Sequence, residues 1–366
     1  MSADLLALPT IVAGVMLLAL NAYLLTGGAD FGGGVWDALA SGPRRDAQRE
    51  LIAEAIGPIW EANHVWLVLV VVLLFTCFPP VFAALGTVLH IPLTLMLIGI
   101  VLRGSAFTFR SYGGAHVPAA GETRESRQWG RVFAVASVIT PIILGVCIGA
   151  LAEERVGGAL AALADTRGRA DFAAVYLRSW ISPFSLAVGA LALALVAFLA
   201  AVYLTVEAPD DELREDFRRR ALAAAVAVFV AAFGTLLLAR RAAPLVHHGL
   251  LAAPWALALQ VVTAVAAITA IAALAARRYR LARLAAMAQV TLILWGWALS
   301  QLPYLVPPRL TIAGTAAPAG TLRPVLWALL AGAVILFPSL IYLFRIFKGG
   351  EEPAPPPGRV GEPVSR

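Results

Sequence analysis

The sequence predicts an all-α integral membrane protein with about nine transmembrane helices, and three observations carry that expectation. Hydrophobic residues make up 60% of the 366, charged residues only 14%, and mean hydropathy is +0.83, whereas about a quarter of a soluble domain is charged. The apolar residues gather in runs long enough to cross a hydrocarbon core of ~30 Å, which takes roughly 20 residues of helix. The basic residues fall mostly on one side of those runs.

The runs cover residues 8–28, 56–78, 81–102, 131–152, 181–206, 221–239, 252–276, 284–304 and 324–346. The first follows MSADLLALPT, which holds Asp4 and no basic residue; without the positive segment of a cleaved signal peptide it reads as a retained helix. At its end stands LTGGADFGGGVWD, residues 25–37, where Gly28 and Gly32 have the spacing of a close helix contact. This is not a nucleotide-binding loop, because the GxGxxG spacing and a preceding strand are both missing. Helical character of the second run begins as early as Leu51, and its first half carries Glu54, Glu61 and His64. The third run contains His90, placed near mid-membrane, and the loop 103–131 follows it. Cys77 and Cys147 lie inside apolar runs, so they build neither a disulfide framework nor a metal site. The mixed-charge loop 153–180 precedes the fifth run, and charged loops at 207–220 and 277–283 flank the sixth and seventh. The chain thus reads as one polytopic membrane domain, residues 1–348. The tail 349–366, GGEEPAPPPGRVGEPVSR, has too few apolar residues to bury and is expected to be mobile.

Short cytoplasmic loops are enriched in Lys and Arg. With nine spans, the loops 41–50, 103–131, 207–220 and 277–283 and the C-terminal end from Arg345 onward share one side and hold twenty of the 28 basic residues. The N-terminus is therefore expected outside and the C-terminus in the cytoplasm. All basic residues but Lys348 are arginine, and the +6 net charge is spread over many short loops, a pattern of topology rather than of nucleic-acid binding.

Ionisable side chains inside a bilayer cost about 2.5–3.5 kcal/mol even on lenient scales and point to function. In GPIWEANHVWL, residues 57–67, Glu61 lies ten residues beyond Leu51, which is ~15 Å along a continuous helix. Glu54 lies two turns earlier on nearly the same face, a lower station to the upper one at Glu61. His64 follows Glu61 at i+3, within reach for sharing a proton or for a hydrogen-bonded pair that only fixes packing. Asp30 stands near the depth of Glu54, either at a shared water-filled entrance or as a helix-end cap. No HExxH pair, Walker A loop or Ser/His/Asp set is present.

GPIWEANHVWL followed by Phe78-Pro79 resembles subunit II of the cytochrome bd family of quinol oxidases. That family shows Pro-x-Trp-Asp-Gly-Asn, then Gln or Glu, and a Phe-Pro or Trp-Pro pair further on. TGGADFGGG, Phe109-Arg110-Ser111, Trp180 to Phe184 and Pro303-Tyr304-Leu305-Val306-Pro307 resemble further family segments in order. The resemblance implies two four-helix bundles plus one peripheral helix, in a bacterial cytoplasmic membrane. It implies a heterodimer with a larger subunit I that carries b- and d-type haems and oxidises quinol, in some complexes with a small accessory subunit. Oxygen is reduced to water there, and this chain contributes to the proton route; Glu61 and Asp30 stand at the positions of two family aspartates. Glu61-Ala62 replaces the usual Asp-Gly, and His64 replaces Gln or Glu, which raises a pH-dependent switch or a haem contact as readings of the imidazole. A proton-coupled secondary transporter is the alternative, but its broken helices in matching halves do not recur here.

Overall fold

The computed structural model describes residues 7–56, 60–112 and 124–348. The tail 349–366, expected to be mobile, and His116 lie outside them, as does the side chain of Glu61. Among the described residues the long elements are helical: α1 (Leu8–Ala38), α2 (Arg45–Ile56), α3 (Trp60–Cys77), α4 (Pro79–Val88), α5 (His90–Tyr112), α6 (Arg124–Ala152), α7 (Arg155–Asp165), α8 (Phe172–Tyr176), α9 (Pro183–Glu207), α10 (Asp211–Ala242), α11 (Pro244–Ala252), α12 (Ala256–Ala275), α13 (Tyr279–Ser300), α14 (Ile312–Thr315) and α15 (Ala319–Lys348). A two-stranded hairpin, β1 (Tyr304–Val306) antiparallel to β2 (Leu310–Thr311), sits between α13 and α14. Among the described residues eight helices are long and apolar enough to span a membrane, and nine spans result when α3 and α4 count as one bent pair. The spans form two four-helix bundles, α1, α3, α5 and α6, then α9, α10, α12 and α13. The segment from Ala319, with α15, is a compact unit of its own.

The largest departure from the sequence reading begins at Phe78. Two prolines follow it, neither able to donate a backbone hydrogen bond, and the residue before a proline is driven out of helical geometry. Phe78 accordingly has φ −135° and ψ 58°, and the chain turns through 116° between α3 and α4. The apolar run predicted to span at 81–102 is therefore divided. Its first part becomes the short α4, and α5 starts at His90 and runs to Tyr112, with its candidate span at His90–Phe109. Two corrections follow from that shift of register. His90 is not a mid-membrane residue: it is exposed at the start of α5, with Nδ1 2.9 Å from the carbonyl oxygen of Thr87 and its ring edge-on to Tyr176. Arg103 leaves the predicted loop and enters the helix interior.

A second departure concerns α1, predicted to end at residue 28 but helical through Ala38. Its glycine-rich end is packed rather than capped. A Cβ on Gly32 would collide with the carbonyl oxygen of Val196 and with Ala200, and one on Gly34 with Ser137. The predicted small-residue contact thus exists, with α9 and α6 as its partners.

α9 is the hub between the bundles: every residue from Leu195 to Val202 is buried, and α9 packs on α1, α6, α10 and α13. Its crossing with α6 is made by Gly145, Gly149 and Gly189. A Cβ on Gly189 would lie 2.8 Å from the carbonyl oxygen of Ile142, and one on Gly145 2.7 Å from the Cα of Gly189. In lipid, where apolar surface alone gives helices little reason to associate, this close backbone approach is the main source of attraction. α9 begins with a capping box at Ser182 and Ser185, and the Ser182 hydroxyl donates to Glu153 at 2.6 Å.

At the α2 end of the first bundle, Arg44 makes a forked contact with Asp216 (2.9 and 2.7 Å) and reaches Glu212 at 3.0 Å. Gln48 donates to Asp216 and accepts from Arg220. Arg220 in turn covers the rings of Trp36 and Phe217. These contacts fasten α2 to α10.

Two outcomes test this packing. Gly189→Leu is expected to cost about 1–3 kcal/mol by overpacking and to lower the melting temperature of the detergent-solubilised chain. Gly14→Leu, at an open site, should leave it unchanged. Glu153 lies beyond the end of α6, and burial raises its carboxyl pKa above the usual 4.5, an effect partly offset by Ser182 and Arg155. A raised folded-state value means stability that is present at low pH and lost as pH rises through it. Stability measured from pH 4 to 8 should therefore fall less steeply in Glu153→Gln than in the parent.

Candidate functional site

The first bundle encloses a set of polar side chains contributed by helices far apart in sequence. Asp30, from α1, is 3% exposed and Asn63, from α3, is 4% exposed. The Asn63 amide Nδ2 donates to Asp30 Oδ2. Arg103, from α5, is 1% exposed, and its charge acts on both Asp30 and Tyr23. Its guanidinium lies 5.0 Å from the ring centre of Phe31 and 5.3 Å from that of Phe133, aromatic faces that partly compensate a desolvated cation. His64 is half-buried one residue beyond Asn63, with its ring 6.1 Å from that of Tyr23, and the Arg103 charge reaches it as well.

The geometry has a clear electrostatic logic. A carboxylate and a guanidinium taken out of water are each costly, and they persist only where each compensates the other and hydrogen bonds complete the set. Asp30 receives the Asn63 amide, and the oxygen it turns to α3 ties that helix to α1. On Arg103 the atoms Nε and Nη2 are buried without a hydrogen-bond partner among the described residues. Buried donors of this kind generally recruit ordered water.

The predicted residues are distributed as follows. Asp30 is not a helix-end cap or a solvated loop acid: eight further helical residues follow it, and it is enclosed. His64 approaches the same cluster. Glu54 is exposed on α2. Glu61 lies in the first turn of α3, two residues before Asn63; its side chain, like residues 57–59 between the two helices, lies outside the described residues. The members that sequence reasoning missed are Asn63, Arg103 and Tyr23. Arg103 was counted among loop residues, although Ala106 and Phe107 continue the apolar pattern beyond it, a signal that the helix had not ended.

Among the described residues no group of three His, Cys, Asp or Glu is arranged to hold a metal ion. His90 sits at the start of α5, well before Arg103, against Tyr176.

The sequence model of the family Cytochrome bd terminal oxidase subunit II matches residues 8–347. Cytochrome bd-I ubiquinol oxidase subunit 2 of Escherichia coli K12 is 28% identical over 143 residues, 39% of this chain and 35% of that one. Cytochrome bd ubiquinol oxidase subunit 2 of Bacillus subtilis 168 is 30% identical over 119 residues, 32% of each. The aligned segment thus spans about a third of each of these two relatives. A putative cytochrome bd menaquinol oxidase subunit II of Bacillus subtilis 168 is 22% identical over 335 residues, 89% of this chain and 91% of that one. The structure of bd oxidase from Geobacillus thermodenitrificans contains a chain of the same fold, with TM-score 0.72 and 23% identity over 94% of this chain and 99% of that one. The chain belongs to the cytochrome bd terminal oxidase subunit II family.

Proposed function

We propose that the chain is the subunit of a bd-type quinol:oxygen oxidoreductase that carries no haem itself and helps bring protons to the oxygen-reducing partner. The observation that supports this most directly is the enclosed Asp30, held by Asn63 and facing Arg103 inside the first bundle. In this reading the partner, subunit I, binds the b- and d-type haems and oxidises quinol, and the haems supply the electron transfer to oxygen. This chain moves charge of the opposite kind. Protons enter at the α2 end, where Glu54 is exposed, pass Glu61 in the first turn of α3, and reach the carboxylate of Asp30. Arg103 holds that carboxylate in place, and its unpartnered N–H groups orient water between the stations.

The bias of basic residues supports a cytoplasmic α2 end, in a bacterial cytoplasmic membrane. Arg103, buried rather than in a loop, drops out of the topology count, but the remaining bias has the same sign. A proton-coupled transporter, the other reading of membrane-embedded acids, is not favoured by the family match. His64 is best read as tuning the same cluster, since its ring approaches Tyr23 and feels Arg103.

The complex purified from its native membrane without overexpression should carry b- and d-type haem in a reduced-minus-oxidised spectrum; a chain purified with no haem-bearing partner overturns the reading. Asp30→Asn and Glu61→Gln should each slow oxygen consumption by about 10²-fold or more, as loss of a proton-transferring group does, with haem content unchanged. Full turnover in both variants would leave them no proton role. His64→Gln should be tolerated. Arg103→Leu, which leaves Asp30 uncompensated, should cost about 3–5 kcal/mol of stability. Combining it with Asp30→Asn should recover part of that loss, as read from the melting temperatures of the four proteins in a double-mutant cycle.

A further inference from the structure

A second charged feature lies outside the first bundle, where α9 ends, α10 begins and α12 turns into α13. A cleft of about 550 Å³ opens there. Arg214, Arg277, Arg278, Arg280 and Tyr279 line it together with the backbone end of α9 at Thr205, and no carboxylate belongs to the lining. The arginines differ in how they are held. Arg214 is fixed by Asp211 at 2.6 Å and by the carbonyl oxygen of Ala208 at 2.8 Å, and lies 5.8 Å from the ring centre of Tyr279. Arg277, at φ 57°, reaches Glu215 at 3.6 Å. Arg278 and Arg280 are exposed and form no ion pair among the described residues. Nearby acids are thus engaged by neighbouring arginines: Glu215 by Arg218, Arg219 and Arg277, and Glu207 by Arg283.

The cleft is also the start of α13, whose N-cap residue Arg278 offers no side-chain cap to the first-turn N–H groups. Those donors and the helix dipole favour an anion at the same place as the unpaired guanidinium groups. What decides the source of the anion is the surface below. Leu281, on the cleft wall, is 43% exposed, and Leu284, one turn deeper into the span, is 63% exposed. Free phosphate has no use for that apolar continuation, whereas a lipid presents a phosphate joined to acyl chains at this depth. Arginine matches phosphate oxygens through its planar fork of donors.

We propose that this cleft binds the headgroup phosphate of an anionic phospholipid, with Arg278 and Arg280 as its free ligands and the acyl chains running along Leu281 and Leu284. The cleft holds one lipid at the boundary of the second bundle, where it covers the α12–α13 turn. This assignment rests on membrane embedding and not on the proton role of Asp30, so failure of one leaves the other standing.

The test uses the full chain in neutral detergent, delipidated and titrated with short-chain phosphatidylglycerol, short-chain phosphatidylcholine or inorganic phosphate, with bound lipid counted by native mass spectrometry. The parent is expected to bind phosphatidylglycerol at least tenfold more tightly than phosphatidylcholine. In Arg278→Ala/Arg280→Ala the affinity for phosphatidylglycerol should fall about 30-fold, the loss of two surface arginines near an anionic lipid. Arg278→Lys/Arg280→Lys, which keeps charge without the fork, should recover part of it, and circular dichroism of both variants should match the parent. Equal binding of the two lipids, or an unchanged affinity in the alanine variant, overturns the proposal. Competition by millimolar inorganic phosphate as effective as by phosphatidylglycerol would make the cleft a free-phosphate site instead and overturn the lipid assignment.

Discussion

Burying a carboxylate and a guanidinium inside the same helical bundle is tolerable only if α1, α3 and α5 come together in one register. Asp30 needs the Asn63 amide from α3 and the charge of Arg103 from α5. Arg103 needs Asp30 and the faces of Phe31 and Phe133. A sliding of any one helix by a single turn, ~5.4 Å, would strand a charge in a medium where stranding costs several kcal/mol. The polar cluster therefore selects among packings that apolar surface, interchangeable with lipid, cannot distinguish. The glycines then let the selected packing close: Gly32 admits α9 against α1, and Gly145, Gly149 and Gly189 admit α9 against α6.

The same register explains why the prolines after Phe78 matter beyond their own turn. Because Pro79 and Pro80 end α3 and start α4 on a new axis, α5 begins ten residues after Cys77-Phe78-Pro79-Pro80 has closed. A span of fixed membrane depth that begins later must also end later, so residues up to Tyr112 stay helical and Arg103 is carried inside. The break is thus upstream of the charge cluster in a causal sense.

The architecture was legible because it is written in composition and length: nine apolar runs, short loops and a basic bias each report a single physical quantity, the cost of polar groups in lipid. Asp30 and the close contact at Gly28 and Gly32 were legible for the same reason, as an acid and small residues where neither is neutral. Element ends were less so. Apolar content does not tell a span from a short helix lying at its mouth, so 79–88 merged with the span after it, and α1 was expected to end at residue 28 although it runs on through the glycines to Ala38. Asn63 and Arg103 escaped because their importance is a property of juxtaposition: neither is unusual in sequence, and each acquires a role only when the fold sets it beside Asp30.

Arginine's place in this molecule follows from how differently the fold treats it. Arg103 is enclosed and compensated, Arg44 and Arg220 are spent fastening α2 to α10 and Trp36, and Arg278 and Arg280 remain free at a span boundary. A guanidinium stays charged in all these settings, so its fate is decided by what the surrounding helices offer it. Inside the bundle that is a carboxylate from the same chain. At the start of α13 no carboxylate among the described residues pairs with Arg278 or Arg280, and the nearest abundant anions are those of the bilayer. The protein thus uses one side chain to fix an acid within its core and to fix its own surface against lipid. The distinction between the two uses lies in whether the compensating charge was built into the sequence or left to the membrane.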